Sequence, residues 1–126
     1  MIAVPRTLRL LVHHDTDADC WVARCVDFDM VTQAKRFEDL PTAFGHVFYG
    51  TVLVALEHNE RPRFVDPPQY IVNEWERVSR NPEGIKVRNW DDYVPHWVPE
   101  AFMRLIESKR QPPDCVSPRQ LNIACA

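Results

Sequence analysis

Leu8-Arg9-Leu10-Leu11-Val12-His13 and Cys20-Trp21-Val22-Ala23-Arg24-Cys25-Val26, followed by the shorter Met30-Val31-Thr32-Gln33-Ala34, decide the fold of this chain. In the first run Leu8, Leu10 and Val12 alternate with Arg9, Leu11 and His13. Successive side chains of a strand point to opposite faces, so this period of two predicts a half-buried strand. Asp15-Thr16-Asp17-Ala18-Asp19 interrupts it with poor strand formers that suit a hairpin loop. The second run places Trp21, Ala23 and Cys25 on one face, Asp27-Phe28-Asp29 makes a corner, and the third run is a short third strand.

Outward from these strands the period changes. Glu38 and Asp39 put negative charge where a helix begins, which its dipole favours. Pro41 fits close to the first helical position, where its missing N–H costs nothing. Leu40, Phe44, Val47, Thr51 and Leu56, with Phe48, Val52 and Ala55 beside them, form a stripe broad enough to cover one face of a small sheet. Gly45 and Gly50 each cost about 1 kcal/mol of helix propensity against Ala, and close approach of helix to sheet is the expected return. The helix should stop around His58-Asn59, ahead of Pro62.

With these residues in place the chain resembles the HicB antitoxin family. The likeness rests on the β-β-β-α order and on Trp21-Val22-Ala23-Arg24-Cys25-Val26-Asp27-Phe28, Val31-Thr32-Gln33-Ala34 and Phe37-Glu38-Asp39. Members of that family carry an aromatic-Val-Ala strand, a Cys-Pro-Asp-Leu-Pro-Gly corner, Thr-Gln-Gly and an acidic helix start. Here Val26 stands for the corner's proline, Met30 for its glycine, and Ala34 replaces the glycine after Thr-Gln. The likeness covers residues 7–57 and its motifs are structural rather than chemical. It implies a protein that holds a small basic RNA-cleaving toxin inactive, with Asp15, Asp17, Asp19, Trp21, Asp27 and Asp29 as the partner-binding set.

Length and charge are consistent with one domain, or one domain with an arm. The chain has 126 residues, 45% of them apolar, enough to build a core. Its net charge of −3 argues against general affinity for phosphate backbones. Residues 1–60 carry five Lys/Arg against nine Asp/Glu, and residues 61–126 ten against nine, so the acidity lies in the first half. Met1 to Arg6 has no basic stretch leading into an apolar run, and no apolar run approaches the ~20 residues of a membrane span. The expectation is a cytoplasmic protein with no membrane association and with reduced cysteines.

The second half is harder to read. Arg61 to Pro68 is a proline-punctuated, extended connector. Gln69 to Ser79 predicts a helix with Ile71, Trp75 and Val78 on one face, and Ile85-Lys86-Val87 a short piece that adds to a sheet edge. Trp90, Tyr93, Trp97 and Phe102 are expected to anchor a C-terminal arm to the free face of the sheet or to a second subunit. Pro99 to Lys109 predicts a third helix; Asp114 to Ala126, with Cys115 and Cys125, has no periodicity and reads as loosely held or held by a partner. Full HicB antitoxins usually end in a DNA-binding segment. Here the two candidate helices stand about twenty residues apart, whereas a helix-turn-helix needs a connection of three or four. Neither carries a basic cluster, so DNA binding is not expected.

Few constellations point to chemistry. Asp15, Asp17 and Asp19 mimic the start of a calcium loop, but its positions six and twelve hold Cys20 and Val26 instead of Gly and Glu. His13, His14, Cys20 and Cys25 are zinc-ligand types, yet Cys20 and Cys25 lie five apart on one strand and so point to opposite faces. Asp27 and Asp29 share one loop, too few carboxylates in one place for a metal-dependent nuclease. His46 and His58 have no evident nucleophile beside them, and three glycines form no phosphate loop.

The expectation is therefore an α+β protein: a three-stranded, mainly antiparallel sheet with one long helix on it over residues 1–60, and a helical and irregular arm over residues 61–126. It is expected to be a non-catalytic, homo-oligomeric binding module with no metal or other cofactor. The alternative is a stand-alone oligomeric scaffold or small-ligand-binding protein on the same core, which a closed pocket under Trp90–Trp97 would favour.

Overall fold

The computed structural model describes residues 7–58, 60, 64–98 and 119–125, with the side chain of Leu56 outside that description. The first half follows the sequence closely. Strands β1 (Thr7–Asp15), β2 (Cys20–Cys25) and β3 (Val31–Ala34) form an antiparallel meander. A single 3-10 turn, Phe37–Asp39, then leads into helix α1 (Leu40–Glu57), so the acidic pair sits in the turn just ahead of the helix.

The sheet is larger than the sequence led us to expect. It has five strands in the order β3-β2-β1-β5-β4, where β4 is Ile85–Asn89 and β5 is Gln120–Cys125. Strand β5 runs parallel to β1, pairing Thr7 with Gln120 across 113 residues of sequence, and antiparallel to β4. The three-stranded, mainly antiparallel sheet is thus corrected to a five-stranded mixed one. The cause lies in residues 120–125, which had read as part of a loosely held tail: they are a strand in the interior of the sheet. Leu121 and Ile123 supply its buried side. The fragment at Ile85–Val87 does add to a sheet edge, as strand β4.

Both faces of β1 are buried. Leu8, Leu10 and Val12 point to the α1 side and pack with Leu40, Phe44, Phe48, Tyr49 and Val52 of that helix. These helical residues recur every four positions, with Tyr49 alongside. Val47, placed in the stripe from the sequence, is instead exposed, and Thr51 turns its hydroxyl back to the Val47 carbonyl at 2.8 Å.

Leu11 points the other way, into a second cluster with Val26, Ala124, Ile71 and Trp75. The last two belong to helix α2 (Gln69–Val78), which forms where expected. The connector gets there by way of the β2–β3 corner: Phe64 packs on Phe28 at 4.6 Å between ring centres, and the Asp29 N–H donates to the Val65 carbonyl at 2.8 Å. The sheet is therefore sandwiched, with α1 on one face and α2 on part of the other. No described helix is long and apolar enough to cross a membrane.

Candidate functional site

The β1–β2 hairpin tip carries three of the expected partner-binding residues. Asp15 serves the turn itself, its Oδ1 accepting the N–H groups of Asp17 and Ala18 at 3.1 and 3.2 Å. Such Asx turns are why Asp recurs in hairpins. Asp17 is exposed, and the Asp19 side chain, 90% exposed, lies 3.3 Å from His14 Nε2. Asp19 closes the turn with φ of 48°, in the left-handed region that Asp tolerates better than most residues.

The remaining three do not gather there. Trp21 is half-buried on the α1 face, between His14 and the edge of Phe37 at 5.3 Å. Asp27 and Asp29 sit at the opposite end of β2, roughly 20 Å of strand away from the tip. Asp27 is occupied by Arg9. Its Oδ2 accepts the Arg9 backbone N–H at 2.8 Å, and its Oδ1 accepts Arg9 Nε at 3.0 Å and Nη2 at 2.9 Å. The Arg9 guanidinium in turn lies over the Trp75 ring at 5.9 Å, so this pair ties the corner to helix α2. Asp29 is exposed.

Trp90, Tyr93 and Trp97, the described aromatic residues of the arm, meet α1. Trp90 is fully buried, edge-on to Phe44 and Phe48, and its indole N–H donates to Tyr49 Oη at 2.9 Å. The Tyr93 carbonyl crosses directly over Gly45, and Trp97 donates its indole N–H to His46 Nδ1 at 3.0 Å. Gly45 thus permits close approach of the arm rather than of the sheet, while no described atom lies within 4 Å of a Cβ at Gly50. Phe102, Cys115 and the helix expected from Pro99 to Lys109 lie outside the described residues.

Cys20 and Cys25 are buried, on opposite faces of β2, and Cys125 is exposed. Burial, reinforced by the nearby Asp27 carboxylate, pushes the Cys25 thiol up to about 12, which keeps it protonated and unreactive. Among the described residues no three His, Cys, Asp or Glu side chains converge as a metal site.

One feature escaped the sequence reading. On the α2 side, an open groove of about 450 Å³ runs between the helix and the β1–β2 ladder, lined by Leu11, His13, Arg24, Tyr70, Ile71 and Glu74. Its residues come from the β1–β2 hairpin and from α2, which follows much later in the chain. The local hint was a pair of polar residues, His13 and Arg24, that share a face with Leu11 and Val22.

Compared with known proteins, the chain matches no family model, no curated protein and no solved structure.

Proposed function

We infer that this chain is a non-catalytic protein-binding module that resembles the HicB antitoxins over residues 7–57 and occludes a small basic RNA-cleaving partner, acting as a homo-oligomer. The observation that carries the reading is the hairpin tip, where three carboxylates fall within five residues and those of Asp17 and Asp19 reach solvent. A projecting acidic turn steers a cationic partner and fixes its orientation, and bulk at the interface then excludes RNA from the partner's active site. In this reading Asp17 and Asp19 meet the partner, Asp29 supplies a more distant contact, and Asp27 and Trp21 hold the scaffold that presents them.

Co-expression with the product of a small neighbouring gene, followed by size-exclusion chromatography with light scattering, tests the proposal. A joint complex that silences RNA cleavage is expected, and Asp17→Lys with Asp19→Lys should weaken it by roughly tenfold or more at low salt. A chain that elutes alone and leaves cleavage untouched would sink the reading. The alternative, a stand-alone small-ligand-binding protein, is favoured by a different observation, the groove beside α2.

A further inference from the structure

The groove is built by parity. Arg24 pairs with Leu11 across the β1–β2 ladder and His13 with Val22, so Leu11, His13, Val22 and Arg24 share the α2 face. Helix α2 lies over β1 and β5 through Ile71 and Trp75, which leaves the β2 side of that face uncovered. Leu11 and Ile71, almost fully buried, form an apolar floor, and Tyr70 stands at the rim with 62% of its surface exposed.

The charges decide what this space suits. Arg9, the other arginine on this face, is neutralised by Asp27 and covered by Trp75. Glu74 is the groove's one carboxylate, and it is already held by Arg77 of the same helix, through Arg77 Nε at 3.1 Å to both its oxygens and through Arg77 Nη2. That pairing draws the Glu74 carboxyl below its ordinary range. Arg24 has no carboxylate or carbonyl partner among the described residues, and neither has His13. A half-buried guanidinium without a counter-ion among the described residues therefore shares with an imidazole the lining of a groove with an apolar floor.

A guanidinium presents a planar fork of donors that matches a carboxylate two bonds at a time. A single fixed cation, with Glu74 nearby, is poorly matched to the higher charge of a phosphate. The volume falls within the range of small-ligand sites, which combine apolar walls with a few convergent polar groups. We propose that this groove binds a small apolar carboxylate, an aryl- or branched alkanoate, with its carboxylate on Arg24 and its body on Leu11, Ile71 and the Tyr70 ring. The proposal deepens the small-ligand reading and is separable from the toxin reading, because the hairpin-tip variants leave all six lining residues intact.

The test is an NMR titration of the full chain with 4-phenylbutyrate, and with 4-phenylbutan-1-ol as its uncharged counterpart. Saturable shifts are expected at the Leu11 and Ile71 methyl groups and the His13 ring, with the alcohol weaker by roughly tenfold, the ratio that one charge-assisted contact supplies. Arg24→Gln, on an open part of the sheet, should remove that preference and leave alcohol binding unchanged. Three results would overturn the proposal: no saturable shift at millimolar acid, equal binding of acid and alcohol, or an acid preference that survives Arg24→Gln. A Gly-Gly-Phe tripeptide with a free carboxylate completes the set. Its binding more tightly than phenylbutyrate would transfer the site to a polypeptide terminus and overturn the small-molecule assignment.

Discussion

Two glycines in one helix have opposite meanings, and only their surroundings separate them. At Gly45 any Cβ would run into the Tyr93 carbonyl oxygen, which belongs to backbone and cannot rotate away. At Gly50 the same atom would meet nothing described within 4 Å. Gly45→Ala should therefore destabilise the protein by about 2 kcal/mol, since the arm must lift from α1 and the overpacking outweighs the gain in helix propensity. Gly50→Ala should stabilise it by up to about 1 kcal/mol. Urea denaturation of the two variants checks both signs at once, and equal shifts would mean that the arm does not hold Tyr93 over the helix. Composition alone cannot tell the two positions apart, because the atom that distinguishes them arrives from 48 residues downstream.

Elements were legible in proportion to how locally they are specified. Strands β1 to β3, helix α1 and helix α2 each announce themselves through a period of two or a four-residue stripe, and each forms close to its expected bounds. Strand β5 offers only Leu121 and Ile123 between Gln120, Asn122 and Ala124, too short a pattern to stand out after a proline-rich stretch. Its identity is set by β1, a partner no local window contains. The candidate site divides the same way: the acidic turn is contiguous and was readable, while the groove needs parity on two strands plus a helix. Asn122 sits between Arg9 and Val87 with its side-chain oxygen buried and unpartnered among the described residues. Helix α2 is held to the sheet chiefly by Ile71 and Trp75 and by the Arg9 contact beneath Trp75. Trp75→Ala should cost about 3 kcal/mol or more. Amide exchange should then accelerate in residues 69–78 well before it does in β1, and uniform acceleration would show that α2 is no separate unit.

At the scale of the whole molecule, one buried thiol reports on global unfolding. Burial holds the Cys25 proton until about pH 12, whereas the ordinary thiol value is 9.0. Between those limits the unfolded chain releases a proton that the folded chain keeps, so rising pH favours unfolding. The stabilising contribution is complete below about pH 9 and is lost as pH climbs toward 12, at up to roughly tenfold in the folding constant per pH unit. Urea midpoints measured from pH 8 to 11 should fall more steeply for the wild-type chain than for Cys25→Ala; parallel curves would place the alkaline sensitivity elsewhere.

The parallel pairing of β1 with β5 also sets a clock on biosynthesis. Strand β1 is among the first described residues to leave the ribosome, and the neighbour that completes its second edge is the last. Until residues 120–125 emerge, the nascent β-β-β-α unit exposes, besides the edge of β3, a second open rim of backbone donors and acceptors along β1, flanked by Leu8, Leu10 and Val12. Such a rim invites wrong pairing with other nascent chains. A six-residue strand, delivered after every other described element, is what closes that rim.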